Sequence, residues 1–271
     1  MSPAPSAAPW RDPATVVITG ASGGIGAALA RAYARPGRRL ALTGRDAARL
    51  EAVAQACRAA GAEVVTAGLD VRDAAALAAF LAQVDAGGPL DLVIANAGVS
   101  SGVGQDGAGE DWASARRTLS INLDGTLNTV QPAVDLMRRR GHRGQIAVIG
   151  SLAAWRGLPS CPAYSASKAA IEAYGEGLRG MLRGDGISVC VISPGYVTSP
   201  MSERVAGHKP FLMDADRAAG IIRGGLARDR GRISFPLPLA VGTRLLTLLP
   251  GWLADRILPL FAFSVRPDTR P

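Results

Sequence analysis

TGASGGIG, residues 19–26, is the stretch on which the reading of this chain turns. Before it stands ATVVIT (14–19), a short β-branched run of the buried-strand kind. After it comes GIGAALARAYA (24–34), with apolar residues at helical spacing. Gly20, Gly24 and Gly26 remove side chains where a strand must turn sharply into a helix. A backbone stripped in this way lets a pyrophosphate approach the helix N-terminus, where unpaired N–H groups and the helix dipole favour an anion. An ordinary connection can also be glycine-rich, so the context decides. Here it is a strand before, a helix after, at the first such unit of the chain.

Working outward, the same alternation repeats. RLALT (39–43) leads into DAARLEAVAQACRAA (46–60), and EVVTAGL (63–69) into DAAALAAFLAQV (73–84). LDLVIA (90–95) precedes a long helix over roughly 110–138, GQIAVIG (144–150) a helix over 162–183, and ISVCVIS (187–193) closes the series. Short apolar strands alternating with longer helices predict repeated βαβ units and a parallel sheet. The expected fold is α/β: a single doubly wound domain with a central parallel sheet over residues 14–235. A flexible N-terminal segment, 1–13, precedes it, and an apolar C-terminal extension, 236–271, comes after it.

The 271 residues are 48% hydrophobic and 19% charged, a globular composition. Net charge is +8, but the arginines are scattered. The run Arg138-Arg139-Arg140 ends a helix, where cations suit the dipole. No nucleic-acid reader motif is present, so nucleic acid is not an expected partner. Cys57, Cys161 and Cys190 are too few and too far apart for a disulfide framework or a zinc site, and no metal is expected. The N-terminal residues are Pro- and Ala-rich without the apolar core of a secretory signal, so a reducing cytoplasm is expected.

The spacing T-G-x-x-x-G-x-G resembles the turn of the short-chain dehydrogenase/reductases, and further motifs of that family come after it in order. Asp70-Val71 stands after the third strand. Ala95-Asn96-Ala97-Gly98 stands after the fourth and is similar to the family's Asn-Asn-Ala-Gly, with Ala95 in place of the first Asn. Asn122 lies in INLDGT, Ser151 in IGSLAA, and Pro194-Gly195 after the sixth strand. The resemblance spans roughly residues 14–200 and implies a Rossmann-type nicotinamide-dinucleotide domain. It implies cofactor contacts from Gly20, Ser22, Gly24, Ile25 and Gly26. Asp70 and Val71 would meet the adenine and Thr198 the nicotinamide amide, and Asn96, Ala97, Gly98, Pro194, Gly195 and Val197 would be further cofactor contacts, as would Arg45, Tyr164 and Lys168. A homodimer or homotetramer is also implied.

The choice between NAD(H) and NADP(H) rests on the residues at the end of the second strand. An acid there bonds the ribose 2′-hydroxyl, whereas an arginine accommodates a 2′-phosphate. This chain reads LTGRD: Gly44 takes the place of the acid, Arg45 comes next, and Asp46 is a helix N-cap. A guanidinium grips phosphate bidentately. The reading therefore favours NADP(H) over NAD(H), against the alternative that Arg45 is a solvated loop charge.

Only two of the 30 basic residues are lysines, Lys168 and Lys209. The first lies in Tyr164-Ser165-Ala166-Ser167-Lys168, so Tyr164 and Lys168 share one helix face. Chance alone would give about 0.03 such Tyr-x-x-x-Lys matches in a chain of this composition. A nearby cation favours phenolate and would bring the tyrosine toward a working range for proton transfer. Lysine provides a compact ammonium with three donors, suited to ribose hydroxyls and proton relay. The resemblance implies the remaining roles: Ser151 bonds the substrate oxygen, and Asn122 holds a water that links Lys168 to solvent.

The expected function is reversible hydride transfer between an NADP(H) nicotinamide and a carbonyl/alcohol pair of an apolar compound, with Tyr164 as acid/base. Two alternatives stay open: epimerisation or dehydration on the same scaffold, and a non-catalytic nucleotide-binding or membrane-surface protein. Substrate selection is expected from Trp155, Leu158 and Cys161 and from a flap over residues 196–213. Cys161 has no paired His in its sequence context and reads as a small lining residue. The apolar tail, ISFPLPLAVGTRLLTLLPGWLADRILPLFAFSV (233–265), is broken by Arg244, Asp255, Arg256 and prolines, so it holds no membrane span. Three readings remain for it: packing on a partner subunit or its own domain, shaping the mouth for a lipid-like substrate, or peripheral docking on a membrane surface.

Overall fold

A computed structural model describes residues 12–103, 109–141, 143–258 and 264–265. Most of the N-terminal segment, residues 1–11, and the parts 259–263 and 266–271 of the extension lie outside the described residues. In chain order the elements begin with β1 (Thr15–Ile18), α1 (Gly24–Tyr33), β2 (Arg39–Thr43), α2 (Ala47–Ala59), β3 (Glu63–Ala67), α3 (Ala74–Ala86) and β4 (Leu92–Ala95). Then come α4 (Trp112–Leu119), α5 (Gly125–Arg140), β5 (Gln145–Ile149), α6 (Pro162–Met181) and β6 (Ser188–Pro194). The chain continues through α7 (Pro200–Glu203), β7 (Val205–Ala206), α8 (Ala215–Leu226), β8 (Arg232–Phe235), α9 (Leu237–Leu246), α10 (Gly251–Ile257) and β9 (Ser264–Val265).

Seven strands form one parallel sheet in the order β3-β2-β1-β4-β5-β6-β8, and β7 and β9 pair separately and antiparallel. A parallel sheet is covered on both faces, which is why its strands read as continuous apolar runs. Alternate residues feed two cores. Val16, Ile18, Leu40, Leu42 and Ile94 pack with Leu29 of α1, Leu50 of α2 and Ile222 of α8. Val17, Ala41, Val93 and Val148 pack with Leu81 of α3, Val134 of α5 and Ile171 of α6. β1 has β2 on one side and β4 on the other. The winding reverses there, and a crevice opens beyond the strand ends.

The long helix expected over 110–138 is split. Between α4 and α5 the residues Ser120–Asp124 form a π-helical turn with Asn122 at its centre. Such turns are rare and gather at functional sites. Neither α8 nor β8 had an expectation in the sequence. Helix α8 carries Gly220, Gly224 and Gly225, a poor helix composition. Yet a Cβ on Gly225 would lie 2.3 Å from Ile233 Cδ1 of β8, so that glycine serves close packing. Asp214 caps the helix by accepting from the Asp216 and Arg217 N–H groups.

The extension folds back on the domain. A Cβ on Gly195 would meet Leu239 Cδ2 at 2.8 Å, so α9 lies directly on the strand end that borders the crevice. Its outer side leaves Leu237, Val241, Leu245 and Leu248 exposed, with Trp252 of α10. Among the described residues no helix is long and apolar enough to cross a membrane.

Candidate active site

The crevice is a cleft of about 1040 Å³. Its floor begins at the glycine turn. Gly20 and Gly24 have φ of +66° and +53°, backbone that side chains rarely adopt. A Cβ on Gly20 would lie 2.7 Å from Ala97 Cα, and one on Gly26 would lie 2.4 Å from the Gly20 carbonyl oxygen. Gly26 is therefore buried beneath the turn rather than open to the cleft. Asn96 Nδ2 donates to the Thr19 and Gly20 carbonyls at 2.9 and 3.1 Å, and Thr19 Oγ1 accepts from Asn96 N at 3.1 Å and Ala97 N at 3.2 Å. The amide of Asn96 thus holds the turn in shape.

The N-terminus of α1 has no side-chain cap, whereas α2, α3, α4 and α8 are capped by Asp46, Asp73, Asp111 and Asp214. Uncapped N–H groups at the bottom of a cleft, bordered by Ser22, Gly24 and Ile25, suit an anionic group. Farther along the cleft lie Arg45, Asp70 and Val71. A Cβ on Gly44 would sit 3.1 Å from Ser22 Cβ and Oγ, so a side chain at 44 would press on Ser22. The Asp70 carboxylate is gripped by the Arg72 guanidinium at 2.6 Å. With Arg45 adding its charge, Arg72 holds that carboxyl below its usual range.

At the other end Ser151 closes β5. Its Oγ accepts from Ala153 N at 3.1 Å, which fixes it at the start of a 3-10 turn over Leu152–Ala154. Tyr164 and Lys168 lie in the opening turns of α6, which starts on Pro162. Lys168 Nζ donates to the Ile149 carbonyl at 2.8 Å and lies 5.8 Å from the Tyr164 ring centre. Burial pushes the Tyr164 phenol up to about 12, against the opposing pull of the Ser151 hydroxyl. The lowering expected from Lys168 does not appear: burial sets the direction, and the Ser151 hydroxyl is the group that opposes it. Lys168 itself is lowered to about 8 by burial, with Glu172 pulling the other way.

Asn122 does not face the cleft. It is fully buried. Its Oδ1 accepts from Val99 N at 2.8 Å, and its Nδ2 donates to the Val99 carbonyl at 3.0 Å and Ser167 Oγ at 2.9 Å. It meets the site through Gly98, where a Cβ would lie 3.1 Å from Asn122 Oδ1 and 3.5 Å from Lys168 Nζ. Pro194, Gly195 and Val197 line the cleft. Thr198 does not. Its Oγ1 accepts from Ala215 N at 3.1 Å, and Ser199 borders the cleft instead.

The cover comes from the segment after β6, including Tyr196, Met201 and Phe211, and from Leu239, Leu246 and Leu258 of the extension. Leu158 and Cys161 also line it. The Cys161 thiol is pushed up to about 12 by burial, which leaves it a poor nucleophile. Trp155 stands apart: its Nε1 donates to Glu172 at 2.8 Å. Two participants had no expectation in the sequence. A Cβ on Gly24 would lie 2.9 Å from Ser199 Cβ, so the flap starts on the glycine turn itself. Glu172, one turn beyond Lys168, is buried next to the site. Its signal was present in the spacing Tyr164, Lys168, Glu172.

Comparison with known proteins gives the family and the fold. The model of the short chain dehydrogenase family matches residues 14–209. An uncharacterized oxidoreductase of Myxococcus xanthus is 38% identical over 242 residues, covering 89% of this chain and 94% of the relative. One of Mycobacterium tuberculosis is 36% identical over 248 residues, covering 89% and 96%. Among solved structures, a short chain dehydrogenase/reductase from Burkholderia phymatum in complex with NAD superposes with a TM-score of 0.78 at 24% identity, over 96% of this chain and 98% of that one.

Proposed function

The chain belongs to the short chain dehydrogenase family of oxidoreductases, and from that premise we propose that it is an NADP(H)-dependent reductase of apolar carbonyl compounds. The observation that carries this reading is the meeting of Ser151, Tyr164 and Lys168 in one cleft with the uncapped N-terminus of α1. The glycine turn with Ser22 and Ile25 would hold the pyrophosphate, and Asp70 and Val71 the adenine. Ala97 and Gly98 would border the path to Pro194, Gly195 and Val197. Arg45, with Gly44 at the place of the acid and Asp46 engaged as the cap of α2, would take the 2′-phosphate.

When bound, the dinucleotide supplies or accepts a hydride at its nicotinamide ring. The chain's residues handle the oxygen and its proton. The Ser151 hydroxyl orients the substrate oxygen toward Tyr164. A phenol raised to about 12 keeps its proton at neutral pH, so Tyr164 Oη is in the form that gives a proton to an alkoxide, the reductive direction. Lys168 is largely an ammonium at neutral pH, beside the phenol it would help to recharge. Asn122, through its grip on Val99 and Ser167, keeps the backbone at Gly98 close to Lys168.

Residues 14–235 carry nucleotide and catalysis in this reading, and 236–271 complete the substrate end. Leu239, Leu246 and Leu258 form an apolar wall, which fits a lipid-like substrate. The outer stripe, Leu237 to Trp252, is the surface we assign to contact beyond the protomer, with a lipid surface read by vesicle flotation of the chain with and without 236–271. A homodimer or homotetramer in the cytoplasm remains part of the proposal. The three buried free thiols suit a reducing compartment.

The test is fluorescence titration of NADPH and NADH on the wild type and on Arg45→Ala. Tighter NADPH binding that weakens by about tenfold or more in the variant, with NADH unchanged, supports the assignment. Equal affinities in the wild type reject the NADP(H) preference, and binding of neither rejects the enzyme reading.

A further inference from the structure

The buried carboxylate nearest the reacting groups has no part in the proposed reaction. Glu172 is 6% exposed and lies one helical turn after Lys168, on the same face of α6. Its Oε1 accepts from Ser193 Oγ of β6 at 2.6 Å. Its Oε2 accepts from Trp155 Nε1 at 2.8 Å and from Arg232 of β8 at 2.7 Å. A Cβ on Gly150 would lie 2.8 Å from Glu172 Oε1, so the carboxylate rests against the backbone between Ile149 and Ser151. Lys168 holds the residue just before, through the Ile149 carbonyl. The two side chains therefore grip the same strand end, immediately ahead of Ser151.

We propose that Glu172 is a positioning residue, whose carboxylate supplies the counter-charge for the Lys168 ammonium and clamps α6 to the end of β5 that presents Ser151. This rests on the reading of Lys168 as part of the active site. The charged groups around it come from three elements. On α6 itself stand Lys168, Glu172 and Glu176, with Tyr164 a neutral phenol. From β8 comes Arg232, which also pairs with Glu176. From α9 comes Arg244, stacked on the Trp155 ring at 5.6 Å, with Arg232 over the same ring at 5.8 Å. β6 offers Ser193 and the segment after it Tyr196, both uncharged at neutral pH. Three cations, Lys168, Arg232 and Arg244, thus gather about two carboxylates, and Glu172 is the carboxylate that touches the strand end beside Lys168. A buried ammonium without such a partner would give up its proton more readily.

The small number of lysines makes the test direct. Protein labelled with 15N at lysine Nζ and 13C at Cε gives two side-chain signals, from Lys168 and Lys209, assigned with Lys209→Arg. No substrate or nucleotide is needed, so the outcome is separate from the success of the enzyme reading. Glu172→Gln keeps the size and removes the charge, and the Lys168 titration midpoint is expected to fall by on the order of one pH unit. Glu172→Asp should bring it back toward the wild type. Arg232→Gln removes the competing cation and should raise it. A merely structural role predicts otherwise: loosening the clamp admits water, and every variant would drift upward toward an ordinary lysine. A Glu172→Gln midpoint that rises or stays in place overturns the proposal. Should that variant not fold, Arg232→Gln and Trp155→Phe decide. A rise in the first alone supports the proposal, and an equal rise in both, or none in either, overturns it.

Discussion

The floor and the cover of the cleft are built on different terms. On the floor each position is decided by backbone geometry or by a particular hydrogen bond: Gly20 lies against Ala97, Asn96 on the turn carbonyls, Lys168 on the Ile149 carbonyl. The cover is chosen for apolarity alone. Phe211 is 58% exposed and Leu246 is half-buried, and any of several side chains would serve there. Changes to the floor should therefore abolish function, whereas changes to the cover should tune it.

The largest effect is expected from Tyr164→Phe, which removes the proton donor and leaves the cradle intact. Turnover should fall by roughly 10²–10⁴-fold, while dinucleotide affinity by fluorescence titration stays near wild type. Loss of both in equal measure would place Tyr164 in binding rather than proton transfer. Next comes Gly20→Val. With φ at +66° and a Cβ 2.7 Å from Ala97 Cα, the variant should lose dinucleotide binding and about 2–4 kcal/mol of stability in urea unfolding. A variant of wild-type stability would show that the turn tolerates what its geometry forbids.

A pH experiment separates the cost of the floor from its use. Lys168 is buried and lowered to about 8 from an ordinary value of 10.5. Below 8 both folded and unfolded chains carry the proton, and the folded state bears the full burial penalty. Between 8 and 10.5 the unfolded chain binds more proton, so stability rises with pH, and above 10.5 the penalty is gone. Relative to Lys168→Met, the wild type should therefore gain on the order of 2–3 kcal/mol across that window, read by urea unfolding at fixed pH values. A constant difference would mean that Lys168 is not charged in a buried place. The smallest effect is expected on the cover. Leu246→Ala should raise KM for long apolar substrates severalfold and leave kcat nearly unchanged, as lost uniform binding does. A collapse of kcat would show that the cover also orders the reacting groups.

The same contrast explains what could be read in advance. Strands β1 to β6 and their helices announced themselves because a sheet buried on both faces demands continuous apolar runs. The glycine turn and the Tyr164–Lys168 pair were legible because few other residues satisfy their geometry. Helix α8 was hidden by three glycines, one of which exists only for contact with Ile233. Strand β8 was hidden by its brevity and its arginine. The π-helical turn at Asn122 left no trace, since INLD reads as plain helix. Thr198 fell one residue short of the cleft because its hydroxyl serves the start of α8. The rise of the Tyr164 phenol could not be seen from a motif, since spacing reports the neighbouring cation and burial is a property of the folded cleft.

Net reduction of an apolar carbonyl is decided by deuterium transfer. The wild-type protein is incubated with NADPH deuterated at C4 and a panel of long-chain ketones and aldehydes, and the products are analysed by mass spectrometry. The expected product is an alcohol carrying one deuterium on the former carbonyl carbon for each NADPH consumed through the deuterium-bearing face. Conversion of a substrate with no net consumption of NADPH would contradict it and assign the cleft to non-redox chemistry.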